Sequence, residues 1–317
     1  MCSSSEPTLA HVSSPWVEAW HAALYSPEGL YVRDEPHEHF STATSAGLID
    51  VLATAVIALI RQDGLTGFVD IAGGAGELAS AICDLAPDLE VTCVEVRPRP
   101  DGLSDRIRWV RSPGGAALPA ELHSLRDVLV LAHEWLDNVP CVICERDGSD
   151  LLEVCVSADG TESTGSAASA LDRQWAERWW PQGRRVEIGR ARDEAWRDLL
   201  SRIDRGLAVA VDYGHRLGSR PPEGSLTAYR SGVVVDPVPD ASCDLTAHVA
   251  VDSLEHDRLV TQRDLLRELQ VVPPAPDREL AHRDPGAYLA ALAHRSAAAA
   301  LVDAAGFGGF WWVLRRV

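Results

Sequence analysis

Among its 317 residues this chain has no lysine; all 29 of its basic residues are arginine. With the many alanines, this looks like a bias of the coding sequence, and no mechanistic weight falls on it. Positive charge is scarce altogether, because 47 acidic residues leave a formal net charge of -18. Such a surface repels phosphates and attracts cationic partners, so nucleic acid is excluded as the expected substrate. Long apolar runs are missing too. No segment approaches the roughly 20 residues that span a bilayer. Met1-Cys-Ser-Ser-Ser-Glu6 has neither the basic nor the apolar stretch of a secretory leader. The expectation is a cytoplasmic protein with no membrane partner. Seven cysteines, an odd number, point to a reducing compartment and mostly free thiols. Cys141-Val-Ile-Cys144 invites a zinc or redox reading, but it has no second pair and sits in an apolar run. A structural role is expected for it, and no metal site. No internal repeat is visible.

What is present is enough apolar residue, 46%, to bury a large core in one elaborated domain or two ordinary ones. Trp16, Trp20, Tyr25 and Tyr31 suggest an ordered N-terminal arm. Leu48, Leu52, Val56, Leu59 and Ile60 fall at helical spacing within 45–61. Short β-type runs follow at 67–72, 90–96, 106–110 and 128–132, separated by helical or loop segments, as expected of a parallel, doubly wound α/β sheet. Two further strands, 141–145 and 151–156, are joined by Asp147-Gly148, a hairpin turn, so the sheet is expected to become antiparallel there. Residues 157–168 read as a loop, 168–180 and 193–203 as helices, and 205–211 as a buried strand. The proline- and glycine-rich stretch 214–245 reads as a long excursion suited to a functional lid. Helices at 262–269 and 285–304 and an aromatic strand at 309–315 complete the reading. The divisions expected are an arm and helix (1–62), a Rossmann-like core (63–213), a loop-rich and helical acceptor-side part (214–305) and a returning strand (306–317).

Phe68-Val-Asp-Ile-Ala-Gly-Gly-Ala-Gly76 is a glycine-rich turn after a strand, where backbone can approach a ligand closely and helix N-terminal amides are freed for it. Alone it could be a packing turn or a nicotinamide site. Its spacing is not G-x-G-x-x-G, and Asp70 at the strand end would repel a pyrophosphate while favouring a cationic methyl donor. Glu95 ends the next strand 25 residues on, where a carboxylate can accept from both hydroxyls of a ribose. Beyond the fourth strand, Leu131-Ala-His-Glu-Trp-Leu-Asp-Asn-Val-Pro140 turns abruptly from apolar to charged at the sheet's carboxyl edge. In a helical turn Glu134 and Asp137 would share one face and clamp one cation, a guanidinium by geometry. The plain alternative is an acidic first helical turn satisfying its own dipole.

These segments resemble the MidA-type S-adenosylmethionine-dependent methyltransferases, whose mitochondrial member is a protein-arginine methyltransferase supporting complex I assembly. Tyr31 with Phe40-Ser-Thr-Ala43 is similar to that family's aromatic and F-x-T-A segment, and Asp70 to Leu78 to its E-x-G-x-G-x-G-x-L turn. Ala132 to Pro140 resembles A-N-E-x-x-D-A-L-P, Asp212-Tyr-Gly214 resembles D-Y-G, Gly224 to Tyr229 resembles G-T-L-x-x-Y, and Asp244 to Val249 resembles D-I-T-A-H-V. The matches keep family order from about residue 25 to 270. Two positions depart: Ala72 replaces the first glycine, tolerable if its φ is negative, and His133 replaces Asn.

The resemblance implies a class I Rossmann-like core and S-adenosyl-L-methionine as cofactor. It places Tyr31, Phe40, Thr42, Asp70, Ala72, Gly74, Gly76, Glu95 and Val96 around that cofactor. Glu134 and Asp137 would hold an arginine guanidinium and take its proton, with His133 assisting and His248, beside Asp244, closing the acceptor side. The acceptor is an arginine-bearing protein, or free arginine or another guanidino metabolite. A different small-molecule acceptor and a non-catalytic assembly factor are the competing readings, and a homodimer is compatible with the sequence.

Overall fold

The apolar runs of the chain's centre pair into one seven-stranded sheet in the computed structural model, which describes residues 13–33 and 48–317. Numbered along the chain, its strands are β1 (Gly67–Ile71), β2 (Glu90–Glu95), β3 (Ile107–Arg111), β4 (Leu125–His133), β5 (Ile203–Asp212), β6 (Arg258–Thr261) and β7 (Trp311–Arg316). Across the sheet they stand in the order β3, β2, β1, β4, β5, β7, β6. The first five are parallel, and β7 lies antiparallel to both its neighbours. Strand order reverses between β1 and β4, the place where open α/β sheets bind ligands beyond their carboxyl ends.

Because side chains alternate along a strand, this sheet needs cover on both faces. Phe68, Leu129, Leu131, Leu207 and Val209 pack one face beneath the helices Ile49–Gln62 and Glu77–Leu85. Val69, Val130, Ala208 and Ala210 pack the other, beneath the helix Arg190–Ser201 with Trp196 at its centre. The fold is the expected doubly wound α/β core with a returning C-terminal strand.

The hairpin at Asp147-Gly148 forms, but it does not extend this sheet. Val142–Asp147 and Asp150–Val156 belong to a separate antiparallel sheet with Glu162–Ala167 and Arg185–Ile188, all between β4 and β5 in the chain, and with Ser14–Pro15 from the N-terminal arm. The strand Glu162–Ala167 replaces the loop expected at 157–168. Cys141 and Cys144 serve different apolar clusters, one with Trp16 and Trp20, the other with Trp175 and Trp180.

The helix Trp16–Tyr25 gives the N-terminal arm its order, burying Trp16, Trp20 and Leu24 against the second sheet. It also packs on a small antiparallel sheet, Thr227–Arg230 with Val233–Val235 and Asp244–Thr246. Trp20 donates its indole N–H to the Leu245 carbonyl at 3.1 Å. Part of the stretch read as an irregular lid therefore forms a small packed sheet, with Ala228, Cys243 and Leu245 fully buried, while Val233 and Val234 are exposed. No helix among the described residues is long and apolar enough to cross a membrane.

Candidate active site

Two cavities meet at the carboxyl edge of β1 and β4. The first, about 150 Å³, is lined by Tyr31, Asp70, Ala72, Gly74, Glu95, Val96, His133 and Glu134 among others. Gly76 instead starts the helix beneath it, at φ 82°, in the left-handed region where glycine is favoured. Phe40 and Thr42 lie outside the described residues.

The glycine turn does not offer its amides outward as expected. Gly74 donates its N–H to Glu95 Oε2 at 3.0 Å, Ala75 to Glu77 Oε2 at 3.1 Å, and Gly76 to the Gly73 carbonyl at 2.8 Å. Carboxylates already fill the positions a phosphate would take, so the turn is unsuited to a pyrophosphate and suited to a cation. Gly73 is required by crowding: a Cβ there would fall 2.5 Å from Cys93 Sγ and 2.9 Å from Asp70 Oδ2.

Asp70 is 2% exposed, and its Oδ2 meets no donor among the described residues. Burial, then the charges of Glu77 and Glu95, push its carboxyl up to about 8. A buried carboxyl left one donor short at a cavity wall is what the ammonium of a cationic methyl donor would satisfy. Glu95 is raised by burial as well, and its Oε1 accepts from the Arg97 amide at 3.2 Å.

Ala72 departs from expectation: its φ is +57°, not negative. Its N–H bonds the Val94 carbonyl at 2.9 Å, so the chain accepts a left-handed alanine to keep the turn attached to β2.

The second cavity, about 520 Å³, is lined by Glu134, Asp137, Asn138, Tyr213, His248 and Phe310, with Tyr229, Thr246 and Phe307 among its other walls. Glu134 and Asn138 belong to both cavities. The two carboxylates converge, but not through a helical turn. Glu134 sits at φ +49°, anchored by its N–H to the Val211 carbonyl at 2.8 Å, and Leu136–Asn138 forms a single 3-10 turn. Asp137 Oδ2 accepts from Thr246 Oγ1 at 2.9 Å and from the Tyr213 hydroxyl, which also bonds Thr246. Burial holds Tyr213 well above the usual phenol range.

Asp212, at the end of β5, stands directly behind this turn and accepts the Leu136 N–H at 3.3 Å. Burial, then the neighbouring charge of Asp137, raises its carboxyl well above the ordinary range.

His133 is buried, its Nδ1 3.4 Å from Glu134 Oε1, and desolvation lowers its imidazole to about 4. It is a neutral ring at physiological pH. His248 has its ring exposed at the second cavity, edge-on to Tyr213 at 5.1 Å, and partial burial lowers it as well. Asp244, pushed to about 8 by burial, accepts from the Tyr31 hydroxyl at 2.6 Å. That bond ties a wall of the second cavity to a wall of the first.

Tyr25, Asn138, Tyr213 and Thr246 were not singled out for the site by the sequence. Tyr25 lines the first cavity and donates its hydroxyl to the Asn138 carbonyl at 3.2 Å. The aromatic content of the arm and the D-Y-G and D-L-T-A-H segments were the available signals.

Residues 68–266 match the model of a family described as S-adenosyl-L-methionine-dependent methyltransferases. Among solved structures, a Burkholderia thailandensis protein bound to S-adenosyl-homocysteine is similar at 20% identity and a TM-score of 0.75, over 95% of this chain and 87% of that one. A native structure from the same superfamily and organism is similar at 20% identity and 0.75, over 96% and 87%. Likeness at that identity is one of fold. No curated protein matches the sequence. The chain belongs to this family of S-adenosyl-L-methionine-dependent methyltransferases, the MidA-type group that its spaced motifs resemble.

Proposed function

We propose that the protein binds S-adenosyl-L-methionine in the first cavity and methylates an arginine guanidinium held in the second. The observation that carries this reading is the shared wall: Glu134 lines both cavities, and Asp137 joins it in the second beneath aromatic rings. A planar cation fits such a site, since its fork of N–H donors matches carboxylates and its faces stack on Tyr213 and Phe310. At about 4 Å and an effective dielectric near 20, each carboxylate attracts it by about 4 kcal/mol before desolvation.

When bound, the cofactor supplies an electrophilic methyl group on a sulfonium sulfur. Asp70 and Glu95 hold its cationic and ribose ends, and Tyr31 and Val96 wall it. Glu134 and Asp137 orient the guanidinium and draw its positive charge away from the attacking nitrogen, which addresses an acceptor pKa above about 12. Glu134 or Asp137 would take the N–H proton that the attacking nitrogen gives up as it accepts the methyl group. No strong base is needed. His133, with its low basicity, is left to shape the wall rather than move the proton.

The second cavity is rimmed by His248, Gly232 and Ala305, all exposed, which supports entry of a side chain whose parent molecule stays outside. Incubation with labelled S-adenosyl-L-methionine and either free arginine or arginine-bearing peptides tests the acceptor and separates the two sources. Donor binding without transfer to either would refute the arginine reading. Glu134→Gln should abolish turnover and leave cofactor affinity within a few-fold; a fully active variant would remove Glu134 from the chemistry.

A further inference from the structure

Two buried charges beside the second cavity have no part in the reading above. Glu187 lies in the strand Arg185–Ile188 and Arg192 in the first turn of the helix Arg190–Ser201; both are 2% exposed. Their hydrogen-bond partners are peptide groups and a hydroxyl, not opposite charges. Arg192 donates Nη2 to the Asp137 carbonyl at 2.8 Å, Nε to Val139 at 3.0 Å, and Nη1 to Ala247 at 3.1 Å and His248 at 3.0 Å. Glu187 accepts from the Leu226 N–H at 2.7 Å and from both the N–H and Oγ of Ser225. Ser225 Oγ in turn accepts the His248 N–H at 2.9 Å.

The approach of Glu187 depends on Gly224, at φ +75°, where a Cβ would fall 2.8 Å from Glu187 Oε1. Burying an ion is costly, and well-packed apolar residues serve a core as well or better. Ions kept at these two positions, both holding the backbone of His248, point to a task in the site.

We propose that Glu187 and Arg192 are positioning residues for the acceptor: they grip the His248 backbone on both sides of its Cα, and Arg192 joins it to the Asp137 turn. The carbonyl of His248 is held by Arg192 and its N–H, through Ser225, by Glu187, which fixes the ring at the cavity rim. Arg192 bridges the Asp137–Val139 and Ala247–His248 segments, so one guanidinium sets the width of the cavity between the carboxylate floor and the histidine. The placement of these residues stands on the contacts; only its consequence for turnover rests on the guanidinium reading.

The test uses the full chain with Glu187→Gln, Arg192→Lys, Arg192→Met and His248→Ala, singly and combined. Losing a hydrogen bond to a charged group predicts about a tenfold or greater fall in kcat/KM for the acceptor, chiefly in KM, with donor affinity within about threefold. Glu187 acts through His248 alone, so Glu187→Gln should cost nothing further in the His248→Ala background. Arg192→Met should still cost, because Asp137 is also released. Equal losses in both backgrounds would overturn the proposal.

A second readout needs no turnover and uses the conservative variants if Arg192→Met fails to fold. The His248 ring is faced by Glu187, Asp137, Arg192, Tyr213 and His215. Glu187 raises and Arg192 lowers its proton affinity, against a larger lowering by burial. NMR titration should therefore move His248 down in Glu187→Gln and, with the ammonium displaced from the peptide, up in Arg192→Lys. A titration unmoved in both refutes the placement, whereas absent transfer to every guanidino acceptor refutes only the functional reading.

Discussion

If Asp70 holds the cationic donor as proposed, cofactor binding should be a proton-coupled event. Its carboxyl sits at about 8 because it is buried and faces Glu77 and Glu95. A group with that value is ionised about one-tenth of the time at pH 7 and about one-hundredth at pH 6. When a cationic donor binds only beside the ionised form, apparent affinity falls by that fraction. The dissociation constant for S-adenosyl-L-methionine should therefore drop about tenfold, about 1.4 kcal/mol, from pH 6 to pH 7. Binding at pH 7 should release close to one proton. The useful window ends near pH 8, where the donor's own α-amino group begins to lose its charge.

Titration calorimetry in two buffers of different ionisation enthalpy measures both quantities. Asp70→Asn should weaken binding and erase the slope and the released proton together. An affinity flat from pH 6 to pH 7.5 would refute the claim that a neutral Asp70 is what the cation meets.

Ala72→Gly should relieve a left-handed alanine worth about 1–2 kcal/mol, offset by about 0.4–1 kcal/mol of unfolded-chain entropy. The expected result is an equal or slightly higher Tm; a loss above 1 kcal/mol in denaturant titration would contradict the relief of strain. His133→Asn should keep kcat within a few-fold from pH 6 to pH 8, and the wild-type pH–rate profile should lack a limb assignable to His133, whose imidazole stays neutral throughout. Burial pushes Cys141 up to about 11 and Cys144 up to about 12, so alkylation at pH 8 should spare both until denaturant is added. Peptide mapping by mass spectrometry reads this, and rapid labelling of either native thiol would count against it.

The parallel core was legible because short β-type runs rich in apolar residues recur there, β1, β2 and β5 closing on or beside glycine or acidic residues, and β1 to β5 all fall where those runs lie. Glu162–Ala167 was not, because it is an exposed edge strand of serine, threonine, glycine and alanine with no apolar alternation. Arg185-Val-Glu-Ile188 hid for the opposite reason. Its charges are buried, made tolerable by Glu162, Ser225 and Leu226, all distant in sequence. Local pattern cannot reveal partners that far away.

At the site, the identities of Asp70, Glu95, Glu134 and Asp137 were readable, but their conformations were not. The spacing of Glu134 and Asp137 suggested a helical face, whereas a left-handed Glu134 and one 3-10 turn bring them to the same cavity. Nothing in an alanine's identity disclosed the sign of φ at Ala72. The turn's amides looked free because the reach of Glu77 and Glu95 back onto them is a tertiary fact.

Asp212 and Trp311 are direct cross-strand partners, so the intervening segment of almost a hundred residues, which also supplies the edge strand β6, begins and ends side by side on β5 and β7. Most of the acceptor wall is carried within that detour. Since closing a loop becomes only slowly more costly with length, insertions or deletions at exposed turns there, such as Ser231-Gly232, would scarcely disturb the pairing at its base. The part proposed to receive the acceptor can therefore vary in size while the half that lines the first cavity, built on β1, β2 and β4, stays as it is. Exchange of that detour between relatives is a route by which one methyl-donor scaffold could acquire different acceptors.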